Sequence, residues 1–207
     1  MQKKLLHELN TFYKVSFNDL SAEEIKEIDF LNAVKKRFSF HRNAKYSIEQ
    51  VSIHSIKPLT KFVYNFRLEK ANCLLQKYFE RNIALLKPII LGYQNKVSQI
   101  VAPPILEVHK KELVLCDGTH RVYKSLLLGL EKIYCLVVRN VNIPLPGEVN
   151  EWRNIKMLEK EVAVKDNFIN FKAENLTGYT WIFNSEKAWL KQTEDVSILD
   201  TFANSNS

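Results

Sequence analysis

The stretch from Glu112 to Val138, ELVLCDGTHRVYKSLLLGLEKIYCLVV, restricts what this chain can fold into more than any other part of it. The apolar run from Leu113 to Cys116 has the length of a buried strand, and the Asp117-Gly118 pair behind it is a turn signal. From Thr119 onward Val122, Leu126 and Leu127 recur at helical spacing, and Gly129 supplies a stop. A second strand is predicted from Ile133 to Val138. Strand, turn, helix and strand thus follow one another within this one stretch.

Polar chemistry concentrates at the turn. Asp117, Gly118, Thr119, His120 and Arg121 bring a carboxylate, a flexible backbone, a hydroxyl, an imidazole and a guanidinium to one helix N-terminus. Unpaired amides and the positive end of the helix dipole favour an anion there, and a glycine lets a phosphate come close to the backbone. A phosphate site is therefore expected at this turn.

At 207 residues and 46% hydrophobic content the chain is long enough for one domain with a sizeable core and some appendages. Its first residues, MQKKLLHELNTFYK, are too polar for a secretory signal, and no apolar run reaches the length of a membrane span. A cytoplasmic protein is the expectation. Cys73, Cys116 and Cys135 are odd in number and lack CxxC spacing, which argues against a disulfide framework and a zinc knuckle. His7, His41, His54 and His109 are likewise scattered without the spacing of metal ligands. The net charge of +7 is uneven, since residues 51–100 hold eight Lys or Arg against only Glu69 and Glu80. Such a segment suits an anionic partner, be it nucleotide, nucleic acid or phosphorylated substrate, and suits a solvated helix face equally.

Helical spacing is read over residues 2–14, and Ser21 with Glu24 forms a capping-box signature ahead of Ile25, Ile28, Leu31 and Val34. Residues 1–49 are accordingly expected as a helical N-terminal segment. Alternation of Val51, Ile53 and Ile56 predicts a strand from Gln50 to Ile56, and a helix is predicted over Leu68 to Glu80. Strands entered through proline are expected at 87–92 and 103–108, with His109, Lys110 and Lys111 as a hairpin tip. A helix is expected over Glu148 to Val162. Trp152, Tyr179, Trp181 and Trp189 mark residues 141–207 as an aromatic-rich extension that packs on the domain formed by residues 50–140. Phe38, Phe40, His41 and Arg42 mix aromatic and basic groups as a stacking surface would, and as an ordinary helix end would.

A proline-led strand, a hairpin, a strand and then Asp117-Gly118-Thr119-His120-Arg121 opening a helix resembles the ParB/sulfiredoxin-like superfamily, closely over residues 103–138 and loosely over 50–139. ParB proteins carry Gly-Glu-Arg-Arg at this turn, sulfiredoxins Gly-Cys-His-Arg, and free serine kinases a DGHHR-like turn. The kinase form is the nearest, differing here by Thr119. With Thr119 in place of the sulfiredoxin cysteine, thiolate chemistry is not expected.

The resemblance implies an α+β fold, a mixed sheet with flanking helices, and a nucleotide, ATP or another, held by Gly118, Thr119, His120 and Arg121. Asp117 is then placed beside the transferred group or its Mg²⁺, and Arg67 within reach of a phosphate. Those kinases place a catalytic glutamate just after the first strand, where this chain offers no acid before Glu69. Glu69 is thus the candidate second catalytic acid beside Asp117, with Glu49 behind it. The implied function is nucleotide-dependent phosphotransfer to a small hydroxyl-bearing substrate such as an amino acid. The alternatives are a ParB-like nucleotide-binding protein associated with DNA and a noncatalytic nucleotide-binding protein. Residues 140–207 show no basic recognition helix, so nucleic acid is the less favoured partner.

Overall fold

A five-stranded mixed sheet organises the molecule, and the computed structural model describes residues 21–37, 43–93 and 96–179 of the chain. Its strands, in spatial order, are β2 (Lys45–Ser52), β9 (Lys132–Arg139), β7 (Ile105–His109), β8 (Glu112–Asp117) and β3 (Ile56–Pro58). β2 pairs antiparallel with β9 from Lys45↔Arg139 to Ser52↔Lys132, and β7 runs parallel to β9. The β7–β8 hairpin turns at Lys110 (φ 48°) and Lys111 (φ 73°). Both central residues are left-handed, which matches a two-residue turn to the twist of its strands. β3 then adds parallel to β8 at the edge.

Period-two alternation divides the sheet into two apolar faces. Leu106, Leu115, Val137 and Val51 face α2 (Asn65–Glu80) and α3 (Thr119–Leu127), packing with Leu74, Leu75, Tyr78 and Val122. On the other face Ile105, Leu136 and Val138 pack with Phe30 and Val34 of α1 (Glu27–Arg37). Beside them Val114 meets Leu59 and Phe168. Burying both faces of its central strands makes those strands nearly continuous in apolar residues, which is why they stand out in the sequence.

A second sheet has the order β1-β5-β6, from β1 (Ser21–Glu24), β5 (Ile89–Tyr93) and β6 (Lys96–Val101). Its first strand corrects the capping box expected at Ser21: the Ser21 hydroxyl donates to the Gly92 carbonyl (3.2 Å), and residues 21–24 pair antiparallel with β5. The helix begins only at Glu27, so residues before 50 are not helical throughout. The strand expected from Gln50 to Ile56 starts earlier, at Lys45, and ends at Ser52, where a 3-10 turn over Ile53–Ser55 separates β2 from β3.

The helix expected over 148–162 is replaced by a 3-10 turn, Trp152–Asn154, and a short strand, β10 (Lys156–Leu158). Tertiary pairing wins over local spacing here. β10 runs parallel to β4 (Phe62–Tyr64), Asn150 N–H donates to the Pro58 carbonyl (2.7 Å), and the Asn150 side chain donates to the Thr60 carbonyl (3.1 Å). Lys61 N–H and Phe62 N–H are met by the Asn167 carbonyl (2.8 Å) and Asn167 Oδ1 (3.0 Å). Residues 148–167 thus satisfy backbone groups between β3 and α2 that the rest of the fold leaves open. The helix expected at 2–14, the Phe38 to Arg42 cluster, and Trp181 and Trp189 lie outside the described residues. Among the described residues no helix is long and apolar enough to cross a membrane.

Candidate functional site

β8 delivers Asp117 to the mouth of the sheet, and the chain reverses into α3 through Gly118 at φ 90°. An L side chain is strained at that φ. A Cβ there would also come within 3.0 Å of Pro104 and of Arg121 Nη2. The space beside Gly118 on that side is filled by the protein itself, so close packing of its own chain, rather than the approach of a phosphate, is what the glycine serves there. Asp117 Oδ1 accepts the Gly118 N–H at 2.7 Å. The helical ladder starts with Val122 N–H donating to the Gly118 carbonyl (3.0 Å), which leaves the amides of Thr119, His120 and Arg121 without an acceptor inside the helix. Thr119 is half-buried, and its hydroxyl makes no hydrogen bond among the described residues.

Arg121, one turn in, has a side chain only 16% exposed. Its Nη1 donates to the Ala102 carbonyl, and Nη2 lies 3.7 Å from Asp117 Oδ2. A guanidinium has five donors, so these two contacts orient the group without exhausting it.

His120 has a different role from the one its type suggests. Tyr64 N–H donates to His120 Nε2 at 3.1 Å, and the imidazole stacks on the Tyr64 ring at 5.5 Å and 28°. Nε2 is therefore the acceptor and the proton sits on Nδ1. Burial, then the positive charges of Arg67 and Arg121, push the His120 pKa down to about 3. The ring is neutral and pinned at physiological pH.

That hydrogen bond joins two helices. Tyr64 is the N-cap of α2, so the N-termini of α2 and α3 converge on His120, with Arg67 in the first turn of one and Arg121 in the first turn of the other. Phe66 stacks on Tyr64 (6.2 Å, 25°) and carries Arg67 and Lys70 at 5.8 and 5.9 Å from its ring centroid. Arg67 Nε also donates to Glu161 Oε1 at 2.7 Å. The structure therefore gathers Asp117, Gly118, Thr119, His120, Arg121 and Arg67. Glu69 stands apart: it is exposed on α2, makes no hydrogen bond or ion pair among the described residues, and its charge acts on the Cys73 thiol further along the helix. Glu49 is tied to Arg139 and Ser47 on β2 and β9.

Together these groups present backbone amides, a hydroxyl and two guanidiniums around a neutral ring, donors suited to phosphate oxygens. Among the described residues no group of three or more His, Cys, Asp or Glu is placed to hold a metal ion. Mg²⁺ is commonly bound through one or two carboxylates plus the phosphates of its substrate, and the carboxylate at this turn is Asp117, whose Oδ1 accepts from Gly118 and whose Oδ2 faces Arg121. The thiols stay protonated: burial, reinforced by the charge of Glu107, raises Cys116 well above its usual value, and burial pushes Cys135 up to about 12.

One polar group escaped the sequence reading. Glu107 is fully buried in β7, the central strand, and its Oε2 bonds both His109 Nε2 (2.8 Å) and the Tyr179 hydroxyl (2.8 Å). An acid in the middle of the apolar Ile105–His109 run was the available signal. The acids Glu159 and Glu161, which reach Asn65 and Arg67, had none, because their partners lie 94 residues away. Comparison of the chain with protein-family models, with curated proteins and with solved structures finds no match.

Proposed function

We propose that this chain binds a nucleotide, with its phosphates at the junction of the α2 and α3 N-termini, and uses it for phosphotransfer to a small hydroxyl-bearing substrate such as an amino acid, in the cytoplasm. The observation that carries the binding half is the convergence on a neutral His120 of Arg67, Arg121 and the amides of Thr119 to Arg121 that the helical ladder leaves unused. Each helix also offers the positive end of its dipole there, since the N-cap of α2 is hydrogen-bonded to the first turn of α3. The resemblance of Asp117 to Arg121 to the turn of the free serine kinases supplies the class of ligand.

In the transfer half Thr119 and the helix amides hold phosphate oxygens, Arg121 offers its remaining N–H groups to the charge that develops on them, and Asp117 orients the incoming hydroxyl. Mg²⁺ held by Asp117 and the nucleotide would neutralise phosphate charge. His120 neither gives nor takes a proton near neutral pH; it fixes the spacing between the two helix ends. A second reading, noncatalytic nucleotide binding, is favoured by one observation: Asp117 already accepts from Gly118 and faces Arg121, while Glu69 makes no polar contact with the turn. A DNA-associated role of the ParB kind has no recognition helix among the described residues to support it.

The test is a thermal-shift panel of ATP, ADP, CTP and GTP with Mg²⁺, followed by a labelled-nucleotide screen of hydroxyl-bearing metabolites. A ligand that binds only the native state must raise its apparent stability. No shift with any of the four removes the nucleotide reading. A shift without transfer to any acceptor leaves the noncatalytic one.

A further inference from the structure

We infer that the acidic segment Glu159–Glu161 is an autoinhibitory strap that holds the Arg67 side of this site closed until phosphate displaces it; the inference rests on the nucleotide reading above and names its regulation. The strap is put in place by strand pairing. β10 runs parallel to β4 with Leu158 opposite Tyr64, so the chain beyond it travels alongside the first turn of α2. Beyond Leu158 the strand ends and the chain bends at Glu159 and Lys160. Glu159 and Glu161 both reach α2: Glu159 Oε1 accepts from the Asn65 side-chain amide, and Glu161 Oε1 accepts from Arg67 Nε at 2.7 Å.

The two carboxylates use the same physics a phosphate would. They lie against the N-terminal turn of α2, and one of them takes a bond from the guanidinium whose charge reaches His120. A nucleotide phosphate at the junction competes with Glu161 for Arg67. The competition is winnable because the pair is wet: the Arg67 and Glu161 side chains are 36% and 45% exposed. Exposed ion pairs of this kind contribute little to stability, so opening the strap costs the fold little. Arg121 is held differently, by a backbone carbonyl and by Asp117 in a mostly buried position. The inner half of the site is thus preformed and the outer half gated by the chain's own acids.

The experiment titrates the full chain with ATP, ADP, CTP and GTP in the presence of Mg²⁺ by calorimetry, comparing wild type with Glu161→Gln and with the double variant Glu159→Gln/Glu161→Gln. Removing the competing charges is expected to tighten binding roughly two- to ten-fold, most of it from Glu161. Equal affinities in all three proteins overturn the strap and leave the nucleotide site standing. Binding seen only in the double variant supports the strap in its strongest form. No binding of any nucleotide by any of the three removes the nucleotide site, and the strap with it.

Discussion

Acidification provides a direct test of the neutral, pinned His120. In an unfolded chain the imidazole titrates near its ordinary value of 6.5, whereas in the fold it is held down at about 3. The sign follows from linkage. Between these values the unfolded state binds a proton that the native state refuses, so stability present above pH 6.5 is lost as pH falls towards 3. Each unit of that window is worth about 1.4 kcal/mol, so moving from pH 7 to pH 4.5 should remove roughly 2 to 3 kcal/mol through this one residue. The structural cause is specific: protonating Nε2 breaks its bond from Tyr64 N–H and places a cation between Arg67 and Arg121. Urea denaturation at several pH values, on wild type and on His120→Gln, separates this contribution from the acid groups. Glutamine keeps an acceptor for Tyr64 N–H and has no proton to gain. The variant should be the less acid-sensitive protein over pH 6.5 to 4. Parallel stability profiles for the two proteins would refute the reasoning and place His120 in solvent.

Arg121→Ala should weaken nucleotide binding by about 1.5 to 3 kcal/mol, the range for a charge-assisted hydrogen bond, as read by calorimetry. Because Arg121 also donates to the Ala102 carbonyl, the same variant should lose about 1 to 3 kcal/mol of stability in denaturant, where an exposed arginine would lose none. Asp117→Asn should abolish phosphotransfer while nucleotide affinity stays within a few-fold of wild type; turnover at the wild-type rate would make Asp117 a turn residue and direct attention to Glu69. Tyr179→Phe deletes a hydrogen bond to a buried carboxylate and should cost about 1.5 to 3 kcal/mol by urea denaturation, with no change in nucleotide affinity, since Glu107 and the turn use different groups. A loss under about 0.5 kcal/mol would mean that water replaces the phenol without penalty.

The parts of this fold that could be read from the sequence are those whose partners are close in the chain. Leu113 to Val138 announced strand, turn, helix and strand because the Asp117-Gly118 turn, the Val122 and Leu126 spacing and the Gly129 stop are all local signals. The Lys110-Lys111 hairpin was legible for the same reason. Ser21 to Glu24 misled because a serine three residues before a glutamate describes a helix cap only when no strand competes, and β5 competes from 71 residues away. Residues 148–162 misled likewise: Trp152, Ile155 and Leu158 recur at three-residue steps, but the backbone of Pro58 to Phe62 claims that segment as its hydrogen-bonding partner. At the site, the turn residues were legible as a group. What His120 does was not, since its behaviour depends on Tyr64 and Arg67 across the fold.

Glu107 has a consequence for pairing as well as for packing. Its row across the sheet runs Tyr46, Val138, Glu107, Val114, with the carboxylate at the centre. A slip of β7 by one residue would turn every side chain of that strand over. The carboxylate would then enter the apolar layer of Leu115, Val122 and Val137; His109, two residues along the same strand, would turn over with it, but Tyr179 could not follow. Losing the Tyr179 bond in that layer costs about 1 to 3 kcal/mol, and the strand's own apolar residues are turned out of their layers at the same time. An alternating strand of plain Val and Ile would tolerate that error far better. The acid in β7 therefore encodes alignment: it stabilises the native pairing modestly and penalises its nearest competitor heavily.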